Sequence, residues 1–173
     1  MVRAWPEPVR RVSSFLGDAG GEARIEEFPE GASTAAEAAR AVGCEPGQIV
    51  KSLVFVCGGR PVVALVPGDR RADRAKVAAA VGAEEARVAS PAEVVAATGF
   101  EAGGVAPFPL PKVEDVLIER RLLRHRVVWA GAGSPRHLLA LAPAELARLA
   151  RARPVDVVED GGAYHSPATG KER

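Results

Sequence analysis

The sequence predicts a single α+β domain in which helices cover a mixed β-sheet. Helix start signals alternate along the chain with short runs of β-branched and aromatic residues, which are typical of strands. Two of these runs, residues 48–56 and 61–66, flank Gly58 and Gly59, and this spacing predicts a β-hairpin. The length of 173 residues suits one domain, and no internal repeat is visible.

Capping residues, prolines and glycines mark the predicted helices. Thr34 with Glu37, and Ser90 with Glu93, have the spacing of a capping box, in which a hydroxyl accepts from a first-turn amide and the glutamate reaches back. Glycines follow the apolar stripes where helices are expected to end. The predicted helices cover residues 6–16, 34–42, 72–81, 90–98 and a last stretch that begins at Pro143.

The predicted strands cover residues 23–28, 48–56, 61–66, 86–89, 113–118, 127–130, 137–141 and 155–158. A stiff loop is expected over residues 100–111, because two glycines free the backbone and three prolines restrict it. The Gly-Ala-Gly-Ser-Pro sequence of residues 131–135 predicts a tight turn. From Glu159 the sequence is polar and Gly-rich, so we expect a domain over residues 1–158 and a disordered tail over residues 159–173.

Composition argues against several classes of function. The net charge is only +1, so a nucleic acid would have to be bound by a local basic patch. The two cysteines have neither zinc-site spacing nor the density of a secreted scaffold, and the three histidines are scattered, so we expect neither a metal nor another cofactor. No apolar run approaches the roughly 20 residues of a membrane span. We therefore expect a cytoplasmic protein that does not associate with membranes.

Lys51 is the most informative single residue. It lies in a predicted strand with Ile49, Leu53 and Phe55 on its face, while Ser52 lies on the other face. Both faces are largely apolar, which favours an interior strand. An ammonium group there is costly unless an anion meets it or its stem reaches a wet cleft. The alternative is an ordinary lysine that blocks a sheet edge or extends its amine to solvent.

Other candidate features are two Gly-rich segments and two groups of basic residues. Backbone amides at residues 103–104 and 131–133 could donate to ligand oxygens, although each segment can equally be a plain turn. The basic residues could follow a phosphate backbone, or they could form solvated faces. They are Arg70, Arg71, Arg74 and Lys76 in one group, and Arg120, Arg121, Arg124 and Arg126 in the other.

Known catalytic motifs are missing or incomplete. There is no GxSxG elbow and no Walker-type GxxxxGK[ST], and neither cysteine has a nearby histidine in sequence. Gly131-Ala132-Gly133 resembles the start of a dinucleotide fingerprint, but residue 136 is Arg and the following residues predict a return to strand. A nucleotide-dependent oxidoreductase is therefore a disfavoured alternative.

Several short motifs, taken in their order along the chain, resemble one known family. They are Ala39 with Gly43, Gln48-Ile-Val-Lys51-Ser-Leu, Ala64-Leu-Val-Pro-Gly-Asp69, Thr98-Gly-Phe100, Gly103-Gly-Val-Ala-Pro107-Phe and Gly131-Ala-Gly-Ser134. The ordered set resembles the YbaK/prolyl-tRNA-synthetase-associated domain family over about residues 23–158. The resemblance implies an α+β fold with a mixed, partly closed sheet around a small pocket.

The resemblance also implies which residues form the site. Lys51 matches the family's pocket lysine and is the expected catalytic residue. Ser52 stands where relatives that act on different amino acids often carry Thr or Asn, so the resemblance does not fix the amino acid. The expected substrate-binding residues are Phe28, Ser52, Gly103, Gly104, Pro107, Gly131, Gly133 and Ser134.

The implied function is that of a trans-editing hydrolase that deacylates mischarged aminoacyl-tRNA, above all tRNA(Pro) carrying a small amino acid such as Ala, Cys or Ser. The implied partners are the acceptor end of aminoacyl-tRNA and prolyl-tRNA synthetase, and no cofactor is implied. A non-catalytic module that binds tRNA or aminoacyl-adenosine is the alternative, because it would keep the same pocket and basic patches.

Overall fold

The computed structural model describes residues 4–32 and 34–162, which fold into five α-helices and eight strands. The helices are α1 (Glu7–Asp18), α2 (Ala35–Val42), α3 (Arg74–Ala80), α4 (Pro91–Thr98) and α5 (Pro143–Ala150). The strands are β1 (Arg24–Glu27), β2 (Ile49–Cys57), β3 (Arg60–Pro67), β4 (Ala86–Val88), β5 (Asp115–Glu119), β6 (Val128–Ser134), β7 (His137–Leu141) and β8 (Arg153–Val155). Short 3₁₀-helices cover Pro46–Gln48 and Arg120–Arg124.

The predicted helix starts are confirmed by their capping contacts. The Thr34 hydroxyl accepts from the amide of Glu37 at 3.1 Å, and Ser90 and Glu93 form a reciprocal capping box at the start of α4. The helix predicted from residue 72 begins later, at Arg74, because the Asp73 carboxylate caps it by accepting from the amide of Lys76 at 3.1 Å.

All eight strands join one mixed sheet in the order β1-β7-β6-β2-β3-β5-β8, with β4 paired to β2. The predicted hairpin is confirmed, because β2 and β3 pair antiparallel from Val50 opposite Pro67 to Cys57 opposite Arg60. Parallel pairs join β2 to β6, β3 to β5 and β5 to β8. The strand that carries Lys51 is thus an interior strand, as the sequence predicts.

The sheet divides at β2, because two different strands pair with separate parts of the same edge of β2. On that edge β6 pairs with Ile49 and Val50, while β4 pairs with residues 55–57. Within the described part of the chain, residues 51–53 have no strand pairing on that edge, and β3 alone pairs with them. Lys51 and Ser52 therefore lie where β6 leaves the central strand.

The core lies on both faces of the sheet. Val50 and Val54 pack with buried residues of α1, α4 and α5 on one face. On the other face Ile49 packs with α2, and Phe55 packs with α3. Because Lys51 lies between Ile49 and Phe55 in the strand alternation, it emerges on the face covered by α2 and α3. No helix in the described residues has the length and hydropathy needed to span a bilayer.

Two expected elements differ near the second Gly-rich segment and near the C-terminus. Residues 131–135 are not a tight turn, because β6 continues to Ser134 through a register shift, and the turn lies at Pro135 and Arg136. The last strand covers Arg153–Val155 rather than residues 155–158, because the parallel partner of β5 ends at Val155. Val158 instead forms an isolated antiparallel bridge with Ala72.

The start of the expected tail also differs. The sequence predicts no packing after Val158, yet the amide of Glu159 donates to the Arg71 carbonyl at 2.8 Å and Asp160 pairs with Lys76 at 2.8 Å. The Gly161 carbonyl accepts from Arg70 at 2.6 Å. Basic partners far away in sequence therefore hold these residues, while residues 163–173 of the expected tail lie outside the described residues.

Candidate active site

Lys51 is half-buried at the division of the sheet. Its Nζ donates a hydrogen bond of 2.8 Å to the backbone carbonyl of Arg70, in the segment that follows β3. Burial lowers the pKa of the Lys51 ammonium below its ordinary value, the Asp69 carboxylate acts in the opposite direction, and Arg71 adds to the lowering. An ammonium has three donors, so this contact leaves two N–H groups for other acceptors.

The two Gly-rich segments meet beside this lysine. A Cβ placed on Gly104 would lie 3.3 Å from the Gly133 carbonyl oxygen, and one on Gly131 would lie 3.2 Å from the Val105 carbonyl oxygen. The loop over residues 103–107 therefore runs directly along the second half of β6. Such close backbone contact requires residues without side chains, which explains the glycines at both positions.

The register of β2 and β6 places Lys51 at this contact. The last parallel pairs are Ile49 with Trp129 and Val50 with Ala130, so Lys51 and Gly131 are the next residue of each strand. Both lie on the sheet face that carries Ile49 and Trp129. The lysine, the loop and the end of β6 therefore form one region, assembled from segments that are about 50 and 25 residues apart in sequence.

Gly133 also fixes the start of α1 against this region. It has a φ of +103°, and a Cβ there would lie 2.8 Å from the Pro8 carbonyl oxygen. Either condition alone disfavours a larger residue, and together they require glycine. Pro107 is buried at the far end of the loop, whereas Gly103 is exposed with a φ of +87°.

The side chains of three expected binding residues, Phe28, Ser52 and Ser134, have different surroundings from one another. Phe28 contacts Trp129 edge-to-face, with ring centroids 6.4 Å apart, and it lines a cavity of about 580 Å³ together with residues of α2. The Ser52 side chain lies on the sheet face opposite to Lys51, and its buried Oγ has no hydrogen-bond partner among the described residues. Ser134 is bound within the β6–β7 turn.

The Ser134 contacts reveal a residue that the sequence pattern missed. The Ser134 Oγ lies 2.6 Å from Nδ1 of His137 and accepts from the Arg136 amide at 3.1 Å. His137 is only 3% exposed, although the histidines look scattered in sequence. The signal was the Ser-x-x-His spacing across the tight turn, which becomes visible only when that turn is placed at residues 135–136.

Comparison with known proteins identifies the family. Residues 29–149, more than half of the chain, match the model of the aminoacyl-tRNA editing domain. The chain belongs to this family. This assignment confirms the resemblance found in the motifs. The Gly131–Gly133 segment lies within a strand, which removes the structural context of a dinucleotide fingerprint.

Similar proteins include one with a solved structure and one uncharacterised bacterial protein. A structure described as that of a proposed trans-editing enzyme for prolyl tRNA synthetase has 40% identity and a TM-score of 0.85, covering 91% of this chain and all of that one. YwhH of Bacillus subtilis, an uncharacterised protein, is 34% identical over 79% of this chain and 87% of its own.

Other similar proteins carry more specific names. EbsC of Enterococcus faecalis, named as a proposed Cys-tRNA(Pro)/Cys-tRNA(Cys) deacylase, is 30% identical over 64% of this chain and 68% of its own. Proline–tRNA ligase of Nitratidesulfovibrio vulgaris is 37% identical over 58% of this chain, but the match spans only 18% of the ligase. This chain therefore corresponds to one segment of the ligase.

Proposed function

We propose that this chain is a trans-editing deacylase that hydrolyses the ester bond of mischarged aminoacyl-tRNA. The observation that carries the proposal is the half-buried Lys51 ammonium, which lies where β6 leaves β2 and beside the contact between the 103–107 loop and Gly131. The names of similar proteins support tRNA(Pro) carrying Cys as a substrate and prolyl-tRNA synthetase as a candidate partner. The motif resemblance adds Ala and Ser as further small amino acids, and a role in translation would place the protein in the cytoplasm.

An aminoacyl ester is an activated substrate, so positioning and electrostatics can lower its hydrolysis barrier without a protein nucleophile. Lys51 would hold the phosphate of the terminal adenosine or the oxyanion that forms on the carbonyl oxygen. Amides of residues 103–104 and 131–134 would donate to that oxygen. Water would then attack the carbonyl carbon, either of the original ester or after the vicinal ribose hydroxyl has taken over the acyl group, and the ribose oxygen would leave as a hydroxyl while the amino acid is released.

Selection of the amino acid would come from the space beside Lys51 rather than from a charged contact. One methylene group changes discrimination by only about 1–3 kcal/mol, which explains why small amino acids need a second selection step. Phe28 would border this space through its contact with Trp129. Ser52 would act indirectly, because its side chain lies on the opposite face of β2.

The test is the deacylation of tRNA(Pro) charged with Cys, Ala or Ser by Lys51→Met, which keeps the apolar stem and removes the charge. We expect kcat/KM to fall by about 10²-fold or more, because the group that stabilises the developing charge is gone. Lys112→Met is the matched control, since Lys112 is an exposed lysine outside the site. Near-normal turnover by Lys51→Met would refute the role of this lysine. Binding of the charged tRNA without release of the amino acid by the wild type would instead identify a binding module.

A further inference from the structure

We infer that the cavity beside the β6–β7 turn binds the cytidine that precedes the terminal adenosine of the aminoacyl-tRNA. The inference rests on the proposed function, because it extends the same substrate by one nucleotide. It adds a recognition site formed by Trp5, Arg136 and His137, none of which belongs to the lysine site.

The cavity has a volume of about 560 Å³ and lies between the start of α1 and the β6–β7 turn. Its lining includes Trp5, Glu27, Ser134, Arg136 and His137. It combines an aromatic ring, a cation, a carboxylate and a ring nitrogen, which are the groups that proteins use to bind a nucleotide by stacking, by phosphate contact and by base-edge hydrogen bonds.

His137 provides the main evidence for a ligand. Nδ1 is bound to Ser134 at 2.6 Å, while Nε2 is buried and has no hydrogen-bond partner among the described residues. A buried polar atom without a partner is destabilising, so His137 Nε2, in a residue that lines a cavity, can gain a hydrogen bond from a ligand there. Burial lowers the pKa of His137 below its ordinary value, with Glu27 opposing and Arg136 reinforcing this shift. The neutral ring can match a base edge through Nε2.

Trp5 and Arg136 complete the set. The Trp5 ring lies edge-to-face with His137, with ring centroids 6.1 Å apart, and is partly exposed at the cavity. It therefore offers a surface for stacking a base next to the buried nitrogen. Arg136 is exposed at the same cavity and suits the phosphate that links two nucleotides. The Glu27 carboxylate lines the cavity as well, and carboxylates accept from the exocyclic amine of cytosine.

The position of the cavity fits the nucleotide next to the reacting one. Ser134 follows Gly131 by three residues along β6, which corresponds to about 10 Å in a strand. Gly131 is beside Lys51, and the loop at Gly104 contacts both Gly133 and the Cα of Ser134. The two sites therefore share one continuous wall. In every tRNA the nucleotide before the terminal adenosine is cytidine, so an ester bound near Lys51 would bring this base towards the cavity.

The experiment compares two short substrates that carry the same amino acid on the 3′-terminal ribose, aminoacyl-adenosine and aminoacyl-cytidylyl-adenosine. We expect the wild type to prefer the dinucleotide about tenfold in kcat/KM, and we expect Trp5→Ala to bring this ratio close to one. Because both substrates are measured on one preparation, a loss of folded protein cancels in the ratio. Val95→Ala, at an exposed apolar residue of α4, is the control that should keep the wild-type ratio.

A pair of substitutions at His137 isolates Nε2. An Asn amide superposes on Nδ1 and keeps the contact with Ser134, whereas a Gln amide superposes on Nε2. We expect His137→Asn to lower the preference for the dinucleotide and His137→Gln to retain most of it. If Asn and Gln have equal effects, His137 has only a structural role in the turn and does not contact the base.

Binding without catalysis separates this inference from the proposed function. Cytidylyl-adenosine should quench the fluorescence of Trp5 in the wild type, and this part of the signal should be missing in Trp5→Phe. Quenching without any ester hydrolysis would support the cytidine site and refute the deacylase. Hydrolysis with a substrate ratio of one and no quenching would support the deacylase and refute the cytidine site.

Discussion

The Lys51 ammonium lies near charges of both signs, which influence its pKa. It is half-buried, it donates to the Arg70 carbonyl, and Asp69 and Arg71 shift its pKa in opposite directions. Burial has the largest influence on the Lys51 pKa, so this pKa lies below that of a free lysine. The Lys51 ammonium therefore loses its proton at a lower pH than a surface lysine does. The amine nevertheless keeps a fixed acceptor and two further donors for a substrate.

Substitutions at the two neighbours should move the Lys51 pKa in opposite directions. Asp69→Asn removes the charge that favours the ammonium and should lower the pKa further, whereas Arg71→Gln removes a like charge and should raise it. The measurement is an NMR titration of the Lys51 side chain, assigned by the signal that Lys51→Arg lacks. Equal shifts in one direction would contradict this electrostatic account, and Lys112 in the same spectra provides the internal control.

At the scale of residues, the sequence predicts the strand position of Lys51, but it does not predict the Ser134–His137 contact or the strand that contains Gly131 and Gly133. The alternation of β2 predicts an interior strand and the face on which the lysine lies, because burial on both faces leaves a clear apolar pattern. The pairing of Ser134 with His137 was not predictable, since it depends on where the β6–β7 turn lies. Gly131 and Gly133 are typical of a turn, yet they lie in a strand because neighbouring backbone packs against them.

At the scale of elements, the site exists because two strands use the same edge of β2. β6 leaves after Val50 and β4 pairs from residue 55, so residues 51–53 have no described strand partner on this edge of β2. The sequence predicts each strand and the hairpin from local patterns. It does not predict this division, because a strand carries no local signal for where along its length a neighbour ends.

Glu119 shows how the end of β5 is fastened to other elements. The side chain is 1% exposed, and its Oε2 accepts from the amide of Val157 at 2.8 Å while its Oε1 accepts from Nη1 of Arg121 at 3.0 Å. One buried carboxylate therefore links β5, the following 3₁₀-helix and the segment after β8. Such a group is stable only while its partners are present.

Glu119→Ala should lower the free energy of unfolding by about 1–3 kcal/mol, because it leaves the buried Val157 amide without its acceptor, whereas the Arg121 side chain is 35% exposed and can turn to water. The control is Glu114→Ala, since Glu114 is 88% exposed and lies 4.0 Å from Arg60, and it should change stability by about 0.5 kcal/mol or less. Urea denaturation of both variants measures the difference. Equal losses would show that burial of the Glu119 carboxylate does not determine its contribution.

At the scale of the whole molecule, the chain beyond Val158 contacts the segment whose Arg70 carbonyl accepts from Lys51. Residues 157–161 run along residues 70–76, with Lys76 bound to Asp156, Asp160 and the Val158 carbonyl. Polar and Gly-rich composition predicts a tail here, and that prediction fails for Glu159 to Gly161 because their partners lie about 80–90 residues earlier. A polar composition indicates that a segment does not pack in an apolar core. It gives no information on contacts between residues that are about 80–90 positions apart in sequence.

This arrangement links the C-terminal contacts to Lys51 through Arg70. The Arg70 carbonyl accepts from Lys51 at 2.8 Å, and its guanidinium donates to the Gly161 carbonyl at 2.6 Å. Arg70→Met keeps the carbonyl and removes the anchor, so we expect kcat for deacylation to fall about three- to tenfold, with KM nearly unchanged, because the lysine loses a fixed position. Steady-state kinetics on one mischarged tRNA measures both constants.

Two controls decide what such a loss means. Arg74→Met removes an exposed arginine of the same segment and should leave kcat unchanged, and a chain that ends at Gly162 keeps the Gly161 carbonyl and should match the full chain. A higher KM with unchanged kcat in Arg70→Met would contradict the positioning role, because it would indicate that Arg70 binds the tRNA phosphates instead. Unchanged values of both constants would show that the Arg70 carbonyl stays in place without its contact to Gly161.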